Sequence, residues 1–328
     1  MSMTSRSLSQ AQLNRPFLLA PVGKDYLWGG ERLRKEFGKQ IELYPLAETW
    51  ECSTHPDGVN VVVSGCFAGR LLSEVLKENP HMLGSHPRGE EGLPVLIKFI
   101  DAAKDLSIQV HPNDAYAMSV EGQPGKTEMW YVLDAEPGAT LVYGFSHDIT
   151  EEMLRKSLEE GTISKHLHRI PVKKDDVFML HPGTVHAIGQ GVLLAEIQQC
   201  SNVTYRLYDY DRVDKNGERR PLHIDKACDV LNRKEQPVVR PQMRVMRYQK
   251  GSASEILCRC EYFQVDRILV SHSYHCIVED TSFQVFLILD GELQIGELAV
   301  KKGDCVFLPA NTGEITVTGK GQFLKVCC

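Results

Sequence analysis

The chain has 328 residues, 42% of them hydrophobic and 24% charged, with 37 Lys+Arg against 43 Asp+Glu for a net charge of −6. That composition excludes disorder and collagen, and no run reaches the roughly 18 apolar residues of a membrane span. The basic residues fall singly on a mildly acidic chain, which argues against nucleic acid as the main partner. Residues 1–16 (MSMTSRSLSQAQLNRP) lack the apolar stretch of a signal peptide, so a cytoplasmic location is expected. Ten cysteines are spread along the chain without a CxxC, and they read as reduced core thiols rather than staples or a metal knuckle.

Taken in chain order, the predicted elements are mostly strands. Runs at 60–63 (NVVV), 94–100 (PVLIKFI), 105–110 (DLSIQV), 128–134 (EMWYVLD), 139–144 (ATLVYG), 176–180 (DVFML), 192–200 (VLLAEIQQC) and 203–208 (VTYRLY) are short, β-branched or aromatic, and closed by Gly, Pro, Asn or Asp. Their spacing suits a barrel or sandwich. Helical periodicity is confined to 70–79, 150–160 and about 223–233, each read as an insertion on a β framework.

An internal echo sets the architecture. Residues 172–186 (VKKDDVFMLHPGTVH) and 300–314 (VKKGDCVFLPANTGE) agree at six of fifteen positions, and 129–134 (MWYVLD) resembles 285–290 (VFLILD) ahead of them. The same unit is therefore expected twice: a β-barrel domain over 1–240 with helical inserts, and a smaller one over 255–328, joined by a linker within 236–251.

The copies differ where chemistry is possible. In the first, Gln109 and His111 end one strand, Glu128 opens the next and His186 follows a turn; in the second, Gln284 stands opposite Glu128 and Glu314 opposite His186. Any metal therefore belongs to the first barrel. Residues two apart in a strand share a face, so Ser107, Gln109 and His111 point together into a polar lumen. Two imidazoles and a carboxylate make a catalytic zinc set with an open position, and Gln109 offers a weaker oxygen. His181 is the nearest rival ligand but faces a Pro in the echo. Glu196 and Gln198 share one strand face, and Thr204, Arg206 and Tyr208 another. A guanidinium inside a barrel must meet a carboxylate or an anionic ligand; for Arg206 the plain structural alternative is a salt bridge to Glu196 or Asp209. For Lys98 and Lys126 it is a snorkelling surface lysine.

The segments KDYLWGG (24–30), AETWECSTHPDG (47–58), SIQVHP (107–112), GKTE (125–128), GTVHAI (183–188) and LLAEIQQCSNVTYRLYDYDR (193–212) resemble type I mannose-6-phosphate isomerases in their short bacterial form. The resemblance spans nearly the whole chain and is weakest in the C-terminal copy. It implies a mainly β fold of two cupin-type (jelly-roll) barrels with a few inserted helices. It also implies an aldose–ketose isomerase with one zinc ion per chain. Carried over by motif, the zinc ligands are Gln109, His111, Glu128 and His186, and the active-site arginine is Arg206. Lys98, Ser107 and Lys126 match positions lining the substrate pocket, as do Trp28 and Glu48. The chemistry then expected is proton transfer between C2 and C1 through an enediolate, with Arg206 adding positive charge where it develops. A coordinated His is a poor base, so Lys126 and Glu196 are the candidate proton carriers, Lys126 favoured. The phosphate is expected on basic groups such as Arg206, Arg212 or Arg220, with the Ser107 hydroxyl. The implied partner is a sugar phosphate, with no nucleic acid and no membrane, and a monomer or small homo-oligomer is expected. Two rivals are a cupin Fe(II) dioxygenase, which normally offers His-x-His where Gln109 stands, and a metal-free sugar-binding cupin.

Overall fold

The structure of the chain is a computed structural model, and it describes residues 13–87, 92–214, 216–237 and 243–328. Among them, no helix is long and apolar enough to cross a membrane. Contacts group the chain into two units: one comprises Gly23–Trp50 and Val95–Met243, the other the described residues up to Val22, Glu51–Pro94 and Arg244–Cys328.

Two antiparallel sheets carry the candidate site of the first unit. The larger runs in the order Val177–Leu180, Glu128–Ala135, Val192–Gln199, Val95–Ala102, Glu48–Cys52, Val22–Lys24, and the smaller in the order Tyr205–Tyr208, Ile108–Val110, His186–Ile188, Thr140–Phe145, Leu167–Pro171. Apolar side chains of both sheets meet between them, with Ile100, Trp130, Val132, Phe178 and Leu194 of one in a core with Leu141 and Ile188 of the other. The outer face of the smaller sheet is covered as well. Ile108 and Val110 pack outward in a second core with Leu154 of helix Glu151–Glu159 and Ala227 and Cys228 of helix Ile224–Val230. Because strand side chains alternate, an outward Ile108 and Val110 leave Ser107, Gln109 and His111 facing the interior. The first of these helices starts where Thr150 Oγ1 accepts the Met153 amide at 3.1 Å, with Glu151 and Glu152 in its first turn.

In the second unit the strands form a ten-stranded sheet in which Gly313–Cys327 is paired with Gln264–Val270, Ser273–Val278 and Gln284–Ile295. Ile268, Val270, Phe286, Ile288, Val306 and Phe323 are part of its core.

The echo is structural. Leu180 pairs with Glu128 in the first copy, and Leu308 pairs with Gln284 in the second, so the two Lys-Lys turns deliver equivalent strands in the same register. The grouping departs from the sequence expectation of a first domain over 1–240 at two places, since Glu51–Pro94 and the described residues up to Val22 both group with the C-terminal copy. Phe17, Leu18 and Leu19 pair with Phe307, Val306 and Cys305, which groups this N-terminal strand with the C-terminal copy. Of the expected linker 236–251, residues 238–242 lie outside the described residues, while Arg247–Gln249 is a strand paired with Ser252–Arg259. Two helices without a clear periodicity in sequence, Arg32–Phe37 and Asp114–Glu121, complete the first unit's additions.

Candidate active site

The two sheets bring His111, Glu128 and His186 together. Their ligand atoms lie within 4.8 Å of one another, and all three side chains are buried. The register explains the convergence: His186 pairs with Gln109 across the smaller sheet, and Gln109 pairs on its other side with Arg206. Glu128 arrives from the larger sheet, opposite Gln198.

Both imidazoles are oriented from behind. His111 Nδ1 lies 2.8 Å from the Val203 carbonyl oxygen and His186 Nδ1 2.8 Å from that of Thr184. A carbonyl only accepts, so each Nδ1 carries the hydrogen and each Nε2 keeps a bare lone pair. Those two Nε2 atoms point at each other, 3.1 Å apart. Two lone pairs at that separation repel, and a cation between them removes the conflict. Glu128 completes the set: its Oε1 is 3.3 Å from His186 Nε2 and its Oε2 3.6 Å from His111 Nε2, and neither buried oxygen accepts a hydrogen bond of ordinary geometry. The Gln109 amide is 3.4 Å from His186 Nε2, held from the other side by the Ser107 hydroxyl, which donates to Gln109 Oε1 at 3.3 Å.

The titration directions agree with a cation site. Burial, with the nearby Lys126 charge, lowers His111 well below the usual imidazole range, and burial brings His186 down to about 4, so both are neutral ligands at pH 7. Burial pushes Glu128 up to about 7 against the pull of Lys126, with Glu196 adding repulsion. A carboxylate this costly to ionise gains from a cation in contact.

Around the cluster lies a cleft lined by Trp28, Glu48, Lys98, Ser107, Gln109, Lys126, Glu196 and Arg206. Every residue expected to line the pocket is therefore present. Lys98 and Lys126 are each 4% exposed, which rules out snorkelling. Lys126 Nζ lies 2.6 Å from Glu128 Oε2, 3.2 Å from His111 Nε2 and 3.8 Å from Glu196 Oε1. Lys98 Nζ lies 3.1 Å from Glu196 Oε1 and 3.6 Å from Glu48 Oε2. Each of these carboxylates is also fixed by an indole: Trp130 Nε1 donates to Glu196 Oε2 and Trp50 Nε1 to Glu48 Oε2, both at 2.8 Å. Burial opposes ionisation of Glu196, but Lys126 and Lys98 outweigh it and hold the group down to about 2. Burial likewise works against the Lys98 charge, and Glu48 and Glu196 reverse the shift to a raised value.

Arg206 has no carboxylate partner within salt-bridge distance among the described residues, and its buried Nε lacks an acceptor. Burial and the neighbouring Arg220 charge lower its pKa. Asp209 is instead taken by Arg220, whose Nε and Nη2 donate to its two oxygens at 2.8 and 2.6 Å, and by Arg212. Arg212 also donates to the Asp105 carbonyl at 2.6 Å and stands outside the cleft lining, whereas Arg220 is part of it. His181 is exposed and apart from the metal cluster.

The sequence of this chain matches the family description "Phosphomannose isomerase type I, catalytic domain" over residues 17–138 and "Mannose-6-phosphate isomerase, cupin domain" over 254–328. It is 38% identical over 298 residues to the mannose-6-phosphate isomerase of Streptococcus mutans, covering 90% of this chain and 92% of that protein. It is 38% identical over 314 residues to the mannose-6-phosphate isomerase ManA of Bacillus subtilis, covering 94% and 97%. The chain belongs to the type I mannose-6-phosphate isomerase family. The crystal structure of a Bacillus subtilis mannose 6-phosphate isomerase superposes with a TM-score of 0.86 at 33% identity, over 95% of this chain and 99% of that one. The mainly β, cupin-type architecture of this aldose–ketose isomerase family is thus the architecture found here.

Residues of the isomerase cleft that the sequence reading did not single out are Tyr26, stacked on Trp28 at 5.6 Å, and Asn202. Tyr26 lies inside KDYLWGG, two residues before Trp28, so strand-like spacing was the available signal. Trp130 and Trp50 were also missed, because nothing in a local pattern shows that an indole N–H will find a carboxylate on another strand.

Proposed function

We propose that the chain interconverts mannose 6-phosphate and fructose 6-phosphate through an enediolate, using one divalent ion, zinc, held by His111, Glu128 and His186, with the Gln109 amide oxygen joining them once the amide turns over, since its nitrogen faces His186 and its oxygen the Ser107 hydroxyl. The observation that carries this reading is the pair of unprotonated imidazole Nε2 atoms 3.1 Å apart beside the buried Glu128 carboxylate, with the Lys126 ammonium standing among them where a cation is wanted. Two imidazoles and a carboxylate with an open position are the donor set of catalytic zinc, and Gln109 adds a fourth, weaker oxygen. When bound, the ion supplies Lewis-acid charge for the sugar oxygens that become negative.

The chain's own residues do the rest. A base takes the C2 proton, the C2–H electrons form the C1–C2 double bond, and the carbonyl oxygen at C1 takes the charge. Return of the proton to C1, with the O2 proton passing to O1, gives the ketose. Lys126 moves the carbon-bound proton, taking it from C2 as the neutral amine and returning it to C1 from the ammonium so formed. Its Nζ is 3.8 Å from Glu196 Oε1, while Glu196, held at about 2, is too weak a base for the task. Glu196 and Glu48 fix the charge of Lys98 at the cleft wall, and the two indoles fix the carboxylates, so the polar groups are set before substrate arrives. Arg206, charged and without a protein acceptor at Nε, receives the anionic part of the substrate together with Arg220.

Metal analysis of the purified chain, coupled to mannose 6-phosphate turnover before and after chelation, tests this. Near-stoichiometric zinc and chelator-sensitive turnover that zinc restores are expected. Iron with oxygen uptake would place the chain with the dioxygenases, and metal-free turnover would overturn the ligand assignment.

A further inference from the structure

Arg206 reaches the cleft from the edge of a sheet. Among the described residues its strand Tyr205–Tyr208 is the outermost of the five and pairs with Ile108–Val110 on one side. The register of that pairing shifts between Arg206 and Tyr208, and such an irregularity leaves the aim of a side chain to local ties. An edge strand also turns backbone N–H and C=O groups outward, where no ladder partner meets them. For Arg206, one residue outside any strand meets both. The His223 amide donates to the Arg206 carbonyl oxygen at 2.8 Å, and the Arg206 amide donates to His223 Nδ1 at 3.2 Å.

A second tie lies three residues further along the strand and three residues back along the facing segment. Arg220 donates through Nε and Nη2 to the two oxygens of Asp209, at 2.8 and 2.6 Å. Residues 220–223 therefore run antiparallel beside 206–209, fastened by side chains at both ends where a further strand would use backbone. The ring of His223 is not spent on the helix it precedes. It is the N-cap residue of Ile224–Val230, yet its side chain caps no amide there. A backbone N–H only donates, so Nδ1 keeps its lone pair and Nε2 carries the hydrogen. Burial, with the Arg206 and Lys226 charges, lowers this imidazole below its usual range against the opposing pull of Glu121, so the ring is neutral at pH 7 and able to accept.

We propose that His223 is a positioning residue, which aims Arg206 at the anionic group of the substrate by fixing the Arg206 backbone from the outer side of its strand. The inference rests on the reading of Arg206 as the receiver of that group. His223 itself stands outside the cleft lining.

Two substitutions test the tie. His223→Leu keeps much of the bulk and removes the acceptor, whereas His223→Asn places an amide oxygen near the position of Nδ1. Steady-state kinetics with mannose 6-phosphate and calorimetry of inorganic phosphate binding compare both variants with Arg206→Ala, at about pH 8, where the wild-type ring is neutral. His223→Leu is expected to raise KM and the phosphate Kd about tenfold, the value of one hydrogen bond to a charged group, with kcat nearly unchanged. His223→Asn is expected to return both quantities to near wild type. A general loosening of the fold would not split KM from kcat in this way. Unchanged KM and phosphate affinity in His223→Leu overturn the proposal, and so does an equal loss in both variants, which would trace the effect to ring packing. If Arg206→Ala leaves phosphate affinity unchanged, the reading of Arg206 falls and takes the proposal with it. If Arg206→Ala weakens phosphate binding while His223→Leu is silent, the proposal alone falls.

Discussion

Lys126 holds the place of a cation inside a set of cation ligands, with its ammonium 2.6 Å from Glu128 and 3.2 Å from His111. Two roles are compatible with that position, a charge that only balances Glu128 and a group that handles a proton, and substitution separates them. Lys126→Met keeps the stem and removes the charge that competes with a metal ion, so metal content is expected to stay at the wild-type level while turnover is abolished. Metal analysis beside the coupled assay checks this, and retained turnover transfers proton carriage to Glu196. Trp130 acts at one remove. Its N–H is the donor to Glu196 Oε2, and its ring packs edge-on against His186 with centroids 5.4 Å apart. Trp130→Phe preserves much of the packing and strands a buried carboxylate oxygen, at a cost of about 1–3 kcal/mol. Urea unfolding monitors the change; a variant as stable as wild type would mean that Oε2 has another donor.

The strand Tyr205–Tyr208 delivers Arg206 to the cleft, and Asp209 immediately after it anchors that delivery by holding Arg212 and Arg220. Burial works against the Asp209 charge, but the hydrogen bonds of Arg220 and Arg212 outweigh it and keep the carboxyl below its ordinary range. A carboxyl with a depressed folded pKa stabilises the fold above its unfolded value near 4, and that stability is lost as the pH falls through the folded value. Asp209→Asn is therefore expected to lower the melting temperature at pH 7. The gap from wild type should close progressively below about pH 4, and melting curves across that range decide it, since a pH-independent gap would mean that Asn changes packing rather than charge. At this scale the sequence was legible where pattern and burial coincide. The run read at 128–134 is the strand Glu128–Ala135, and the helix read at 150–160 is Glu151–Glu159. It was opaque at Glu48–Cys52, where all five residues are buried, Glu48, Thr49 and Glu51 included, so no alternation of polar and apolar types marks the strand. It was opaque at Asp114–Glu121, which buries only Ala117 and is marked mainly by its ends: Asn113 Oδ1 accepts the Tyr116 amide at 2.9 Å, and Gly122 closes it at φ 65°.

At the scale of the whole molecule, the chain has used one framework twice and placed the His111, Glu128 and His186 cluster, which could hold a metal ion, in one copy. The duplication was readable because the Lys-Lys turn and the strand after it kept their residues, and the difference was readable because Gln284 and Glu314 replaced ligand types. The partition was readable only in part. The pairing of Phe17–Leu19 with Cys305–Phe307 joins strands nearly the full chain apart, and two generic apolar runs carry no mark of their partner. An asymmetric pair of barrels makes a prediction about where metal removal is felt. A ligand stabilises the state it binds in proportion to its occupancy, and the effect spreads only as far as the structure opens together. Without the ion, the His111 and His186 lone pairs oppose each other again and the buried Glu128 keeps only Lys126 as a counter-charge, so the strands carrying them should open more readily. Amide exchange before and after chelation is expected to rise in Ile108–Val110, Glu128–Ala135 and His186–Ile188, and to be unchanged in Gln264–Val270 and Gln284–Ile295, whose interior has no such set. A uniform rise in both groups of strands would show that the chain opens as one cooperative body. No rise in either group would show that Lys126 alone balances Glu128, and that the fold of the first unit stands without an ion.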